Sequence, residues 1–405
     1  MIKNNKKNFF WNTLGSLVNS VTSLFFMIIV TRINGTDVAG VFAFAFSIAC
    51  FFQVISNYAG RIYQVTEVDD SFSDTDFLIH KVITCGLMLS VSLVFILIKS
   101  YSFSKSIIII LFVVFRLIES VAEVFYAIIQ KKEELYKVGI SLFLKGFLGI
   151  FFFFIIDYLF KNIFYSIISL IFVNLLVTVF LDYNWMKPWY RQTKISKYKV
   201  KKIFKGGFFV FLFTFLTQYV LNAPKYAIDD YLNNQAQTIY GIIVMPTTVL
   251  ILCGQFIVQP LLVNIAALVK EKKYTVLKKF TYKLLAILGG IGILGELCCY
   301  WIGIPFLEFI YGISLADYKI ALLIVILGAV FYALSFIIST VLTTMRKTFI
   351  QIIFYGIVSL FIMVTSKLFV IKFGVLGASF AYCISMVLLF LMYFVYFTRR
   401  CVKNG

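Results

Sequence analysis

The sequence predicts an all-α polytopic membrane protein of about twelve transmembrane helices in two six-helix lobes. Three observations predict it. First, 61% of the 405 residues are apolar, only 14% are charged, and the mean hydropathy is +0.97. A soluble chain is about 45–50% apolar and about 25% charged. Second, apolar runs of the ~20 residues needed to cross a bilayer recur from end to end. Third, Lys and Arg alternate between loops. With the N-terminus inside, 27 fall in cytoplasmic segments and 7 in outer loops, which places both termini in the cytoplasm. These counts assign basic residues at the very ends of spans to the adjoining loop; the remaining three, Arg116, Lys145 and Lys367, lie deeper within spans. Ten-residue segments with alternating polarity are absent, which speaks against a β-barrel.

The spans run near 9–31, 38–60, 79–98, 106–130, 135–156, 162–182, 206–228, 237–268, 281–302, 318–345, 349–371 and 374–398. The first follows Lys3, Lys6 and Lys7, as a signal peptide would. Its long apolar run from Phe9 to Val30 has no A-x-A site after it, so it reads as an uncleaved helix. Spans 1–6 form an N-lobe, residues 1–184. The most basic stretch, KPWYRQTKISKYKVKKIFK from Lys187 to Lys205, follows as a cytoplasmic linker, residues 185–205, suited to contact with anionic membrane lipids. Trp185 and Trp189 would anchor it at the interface. Spans 7–12 form a C-lobe, residues 206–405.

The halves carry a faint repeat. Asn12, Ser16, Asn19 and Ser23 in span 1, and Gln218, Asn222, Lys225 and Asp229 in span 7, share the spacing i, i+4, i+7, i+11. That spacing puts a polar stripe on one helix face. A short outer turn follows each stripe. Span 2 then offers Gln53 and Asn57, and span 8 offers Gln255 and Gln259. Paired halves of this kind are common in transporters.

Chemistry concentrates in span 4, in FRLIESVAEVF. Arg116, Glu119 and Glu123 sit at i, i+3, i+7, within about 60° of arc, and Gln130 extends the row. A charge at mid-bilayer costs roughly 2.5–3.5 kcal/mol, so this face must meet protein or a water-filled cavity. Lys145 in span 5 lies ~15 Å from the inner end, near the level of Arg116 and Glu119. Two readings stand together. One is an ion-pair cluster, Arg116 and Lys145 against the two glutamates. The other is a cavity wall binding an anionic substrate or a coupling cation.

Other charges are more isolated. Glu296 in span 9 offers a site for a proton or cation, or an interhelical hydrogen bond. Arg61 and Gln64 close span 2 beside the acidic loop EVDDSFSDTD, which reads as solvated. Lys225 follows Pro224, which would kink span 7 and free backbone carbonyls. Lys367, near the outer end of span 11, would snorkel to the interface.

Several function classes drop out. The charge of +19 comes from the cytoplasmic loops and calls for no nucleic-acid partner. The seven cysteines and the single His80 form no metal-binding spacing and read as packing residues, so no metal and no cofactor are expected. GGIGILG at Gly289 lies inside a helix with no preceding strand, so it is helix packing. No P-loop occurs. Asp229-Asp230 has no sizeable outer domain to support a glycosyltransferase, and no enzyme activity is expected.

The opening KNFFWNTLGSLVNSVTSLFFMIIVTRINGTDVAGVFAFAFS, then NYAGRIYQV, YVLNAPKYAIDDYL and FGVLGASFAYCIS, resemble the Wzx-type flippases of bacterial repeat-unit polysaccharides, O-antigen and capsule among them. Those proteins belong to the multidrug/oligosaccharidyl-lipid/polysaccharide exporter superfamily. The resemblance spans essentially the full length. It implies a MATE-like fold in the bacterial cytoplasmic membrane, with spans 1, 2, 7 and 8 lining a central cavity. It implies as substrate an undecaprenyl-diphosphate-linked oligosaccharide, moved between leaflets by alternating access. The pathway's polymerase and chain-length proteins would be its neighbours. On that reading Arg116, Lys145, Arg61 and Lys225, in that order, meet the pyrophosphate. Asn19, Gln53, Asn57, Gln218, Asn222 and Gln255 meet sugar hydroxyls. Glu119, Glu123 or Glu296 couple transport to an ion. The alternative is a MATE-type, cation-coupled exporter of small molecules.

Overall fold

The computed structural model describes residues 2–66, 72–258 and 261–403. These residues are almost wholly helical, and no strand occurs among them. The chain divides into two compact units, Met1–Phe215 and Leu216–Gly405. The division falls inside one continuous helix rather than at a loop.

In the first unit, α1 (Ile2–Asn57) is broken at Gly35, where φ is 82° and ψ 178°. Fifty-six helical residues would extend ~84 Å, far beyond a hydrocarbon core of about 30 Å, so the chain turns back at Gly35 and crosses twice. Only glycine takes such a φ without strain. A short α2 (Gly60–Thr66) follows a break at Tyr58 and Ala59, both left-handed. Then come α3 (Asp74–Lys99), α4 (Phe103–Lys131), α5 (Leu135–Phe160) and α6 (Ile163–Val177). Helix α6 does not stop near 182. It continues through a π-helical turn, Thr178–Tyr183, into α7 (Asn184–Met186).

In the second unit, α8 (Lys197–Tyr231) holds Pro224 and supplies the residues from Leu216 on. It leads to α9 (Asn234–Val258), and the short α10 (Leu262–Lys270) comes next. The expected span 237–268 is therefore two helices. Gln259 between them lies outside the described residues. Helix α11 (Tyr274–Cys298) runs through a second π-helical turn, Cys299–Gly303, into α12 (Ile304–Tyr311), and so outlasts the expected 281–302. Last are α13 (Lys319–Thr344) and α14 (Thr348–Lys403), the latter broken at Gly374 in the same way as α1. Nine of these stretches are long and apolar enough to cross a membrane, two of them twice. Helix α4 has the length but carries five charges, with Arg116, Glu119 and Glu123 in its middle. Together they supply the twelve crossings.

The first unit is held by its apolar helix faces and by one very close crossing. Gly15 on α1 and Gly139 on α5 sit backbone to backbone, and a Cβ at Gly139 would strike the Trp11 carbonyl and the Asn12 amide. Small residues permit such approach, which helices in lipid need because apolar burial alone does not drive their association. Phe26, Phe42, Phe112 and Phe153 fill the space beyond, with ring centroids 4.8–6.3 Å apart.

The acidic loop differs from expectation. Residues 67–71 lie outside the described part, but Asp76 is buried rather than solvated. It closes a capping box with Ser73 at the start of α3 and accepts the Ser196 amide at 3.3 Å. Thr75 accepts the Thr193 amide at 3.0 Å and meets the Tyr190 hydroxyl. Side-chain oxygens in the first turn of α3 thus accept backbone amides of the basic linker and fasten it to its own unit.

Candidate functional site

The charges of α4 are paired, but not as one cluster. Arg116 donates to Glu119 at 2.6 Å, and Glu119 also accepts the Gln53 amide at 3.3 Å. The Arg116 guanidinium reaches the Cys50 sulfur at 3.0 Å and lies 4.5 Å from the Phe46 ring centroid. Its Nε–H is buried without a protein acceptor. Glu123, one turn on, does not balance Arg116 or Lys145. It pairs with Arg61 at 3.2 Å, and Arg61 also donates to Gln130 at 3.0 Å. The break at Tyr58 and Ala59 restarts the chain as α2, the helix from which Arg61 makes these bonds.

Lys145 has another partner, Asp182, at 2.7 Å. Both side chains are almost wholly buried, 4% and 1% exposed. Lys145 also donates to the Tyr126 hydroxyl at 2.8 Å, and that hydroxyl meets Ser141 at 2.9 Å. Two of the three ammonium donors are therefore used. The Asp182 Oδ1 has no protein partner. Asp182 sits in the π-helical turn that interrupts α6, and such turns often mark functional positions.

The Arg116–Glu119 pair and Lys145 border a cavity of about 180 Å³ inside the first unit. Arg116, Glu119 and Lys145 line it, with Asn19, Ser20, Thr22, Ser23 and Asn174. The polar stripe of α1 thus faces the charged row of α4. At about 30 Å³ per water, the space holds roughly six waters. It suits the charged part of a ligand rather than a whole oligosaccharide. The site can hold an anion between two cations, each already balanced by a carboxylate.

The other expected residues are dispersed. Arg61 and Asn57 are outside the cavity lining, and the Asn57 Oδ1 is buried without a partner. Gln218, Asn222, Lys225, Gln255 and Glu296 belong to the second unit, all partly buried. There Asn222 donates to the Gln218 carbonyl at 3.0 Å, and the Glu296 Oε2 is buried without a partner. Sequence reasoning missed Asp182 and Asn174. Ending span 6 at 182 put the aspartate at the membrane surface. With the helix reaching Trp189, it lies ~10 Å inside, at the level of Lys145.

The family model "Polysaccharide biosynthesis protein" matches residues 6–266, which include every residue of this cavity. The chain belongs to the polysaccharide biosynthesis protein family. It is 22% identical over 404 residues to the capsular polysaccharide biosynthesis protein CapF of Staphylococcus aureus, covering 97% of this chain and 99% of the relative. Among solved structures, it resembles the inward-facing form of a multidrug resistance MATE family transporter of the MOP superfamily. The TM-score is 0.72 at 12% identity, with 95% of each chain covered. An outward-facing form of such a transporter gives 0.67 at 14% identity, covering 99% of this chain and 96% of the other. At these identities the structures establish the fold, which is that of MATE transporters.

Proposed function

We propose that this multi-pass membrane protein flips undecaprenyl-diphosphate-linked oligosaccharide repeat units from the inner to the outer leaflet of a bacterial cytoplasmic membrane by alternating access. The observation that carries the proposal is the first-unit cavity, where Arg116 and Lys145 stand among neutral hydroxyls and amides. A diphosphate cannot cross hydrocarbon unaided, and charge-assisted hydrogen bonds replace part of its hydration. Each cation rests on a carboxylate when the site is empty, which lowers the cost of holding it in the membrane. An arriving diphosphate displaces Glu119 from Arg116, and the released carboxylate takes up a proton or cation. Family membership and the likeness to CapF support a polysaccharide precursor as cargo.

Deleting the gene should remove surface polysaccharide and leave lipid-linked repeat units in the inner leaflet, measured by extraction and accessibility to an impermeant lectin. Unchanged surface polysaccharide, with newly gained sensitivity to cationic dyes, would instead identify a small-molecule exporter.

Orientation is part of the proposal, with both termini and the Lys187–Lys205 linker inside. In a background lacking native cysteines, Lys197→Cys should resist an impermeant maleimide in intact cells, whereas Asn234→Cys should label. The reverse pattern would overturn the orientation.

A further inference from the structure

A second, larger cavity of about 520 Å³ lies wholly within the second unit. Three segments form it, around Leu232–Ile239, Asp317–Ala321 and Phe373–Leu376. Each is a turn after the first, third or fifth crossing of this unit, so all three share one end of it. The basic turns, Lys270–Lys273 and Arg346–Lys347, follow the second and fourth crossings and lie at the opposite end. The charge rule therefore places the cavity at the extracytoplasmic end.

Its lining mixes two kinds of surface. Asn233, Gln235 and the Asp317 carboxylate supply polar groups, and all three residues are exposed. The Phe373 ring, 49% exposed, and the Tyr318 ring supply flat apolar faces. Gly374 completes the rim with φ 59° and ψ −134°, and a Cβ there would meet nothing within 4 Å, so backbone borders open space. Lipid would find carboxylate and amides here, and bulk water would find exposed rings. A pyranose matches both. Its C–H face packs on aromatic rings, while vicinal hydroxyls pair with amides and a carboxylate. The volume falls in the range of about 300–1,000 Å³ typical of ligand pockets. Among the described residues Asp317 is the only acidic one in the lining and no Lys or Arg lines the cavity, so an anionic sugar is disfavoured.

We infer that this cavity is a saccharide-binding site at the extracytoplasmic end, which receives uncharged pyranose residues of the cargo as it leaves. The inference rests on the transport of saccharide repeat units proposed above and adds a second contact, distant from the diphosphate.

Ala236 lines the cavity without supplying any of these groups, so it can report occupancy. Purified Ala236→Cys protein, free of native cysteines and held in nanodiscs, is labelled with a maleimide. The competitors are neutral and acidic oligosaccharide pools from partial hydrolysis of the producing cells' own surface polysaccharide. The neutral pool should slow labelling about threefold when present at about twice its Kd. Phe373→Ala or Asp317→Ala should abolish that protection without altering the melting temperature. No protection by the neutral pool, equal protection by the acidic pool, or protection that survives both substitutions would overturn the site. A gene deletion that leaves surface polysaccharide intact would overturn the transport reading itself. Failure of protection while the deletion still removes polysaccharide overturns the exit site alone.

Discussion

Asp182→Ala is expected to be among the most damaging single substitutions in the first unit. The Lys145 ammonium would remain in the interior, with the Tyr126 hydroxyl as its other hydrogen-bond partner among the described residues. Breaking a buried pair by removing one member costs about 3–5 kcal/mol, because the surviving charge is uncompensated. Folded yield and melting temperature, followed by size-exclusion chromatography of heated detergent extracts, should fall sharply. Lys145→Met combined with Asp182→Leu should recover most of both, since well-packed apolar residues often replace a buried pair at little cost. The recovered protein should still fail to export polysaccharide, because the cavity has lost a cation. A wild-type melting temperature for Asp182→Ala would show that the pair does not hold this region. Export by the double variant would remove Lys145 from the binding site.

Asp182 also shows what the sequence could and could not reveal. The twelve crossings were legible because hydropathy and loop charge are properties of whole segments and survive errors of several residues at each end. The charged face of α4 was legible because three charges at helical spacing must share a face wherever the helix lies. Partner choice was not legible. Arg116, Lys145, Glu119 and Glu123 balance on paper, yet Glu123 goes to Arg61 and Lys145 to Asp182. The first pairing depends on the left-handed break at Tyr58 and Ala59, which sets the start of α2, and no proline or glycine at those two positions announces it. The second depends on a π-helical turn that carries α6 past its apolar stretch. The turn at Gly35 was legible between spans 1 and 2, whereas Gly374 falls at the head of the expected span 12; each reverses the chain within a continuous helical run, because glycine does so with almost no loop. The linker clamp was hidden for a similar reason. An acidic loop reads as solvated until it is known that Asp76 caps a helix beside the Ser196 amide.

Arg116→Ala should abolish export while reducing stability only moderately. Glu119 keeps the Gln53 amide, and the Arg61–Glu123 pair is untouched, so the loss is closer to one unsatisfied polar group, about 1–3 kcal/mol. Adding Glu119→Gln removes the leftover charge and should restore expression and melting temperature. Export, measured as surface polysaccharide in a complemented deletion strain, should stay absent. Arg116→Lys separates charge from geometry. It keeps the positive charge but loses the planar fork that reaches Glu119, Cys50 and the Phe46 ring together, so export should be weakened rather than abolished. Arg61→Gln serves as the contrast, because Arg61 is paired yet does not line the cavity. It should affect folding more than export from the protein that does fold. If Arg116→Ala with Glu119→Gln exports normally, the α4 charges only hold the helices together and the diphosphate binds elsewhere. The unit-two stripe of Gln218, Asn222 and Lys225 would then be the next place to substitute, because it is the other polar face long enough to accompany a head group across the membrane.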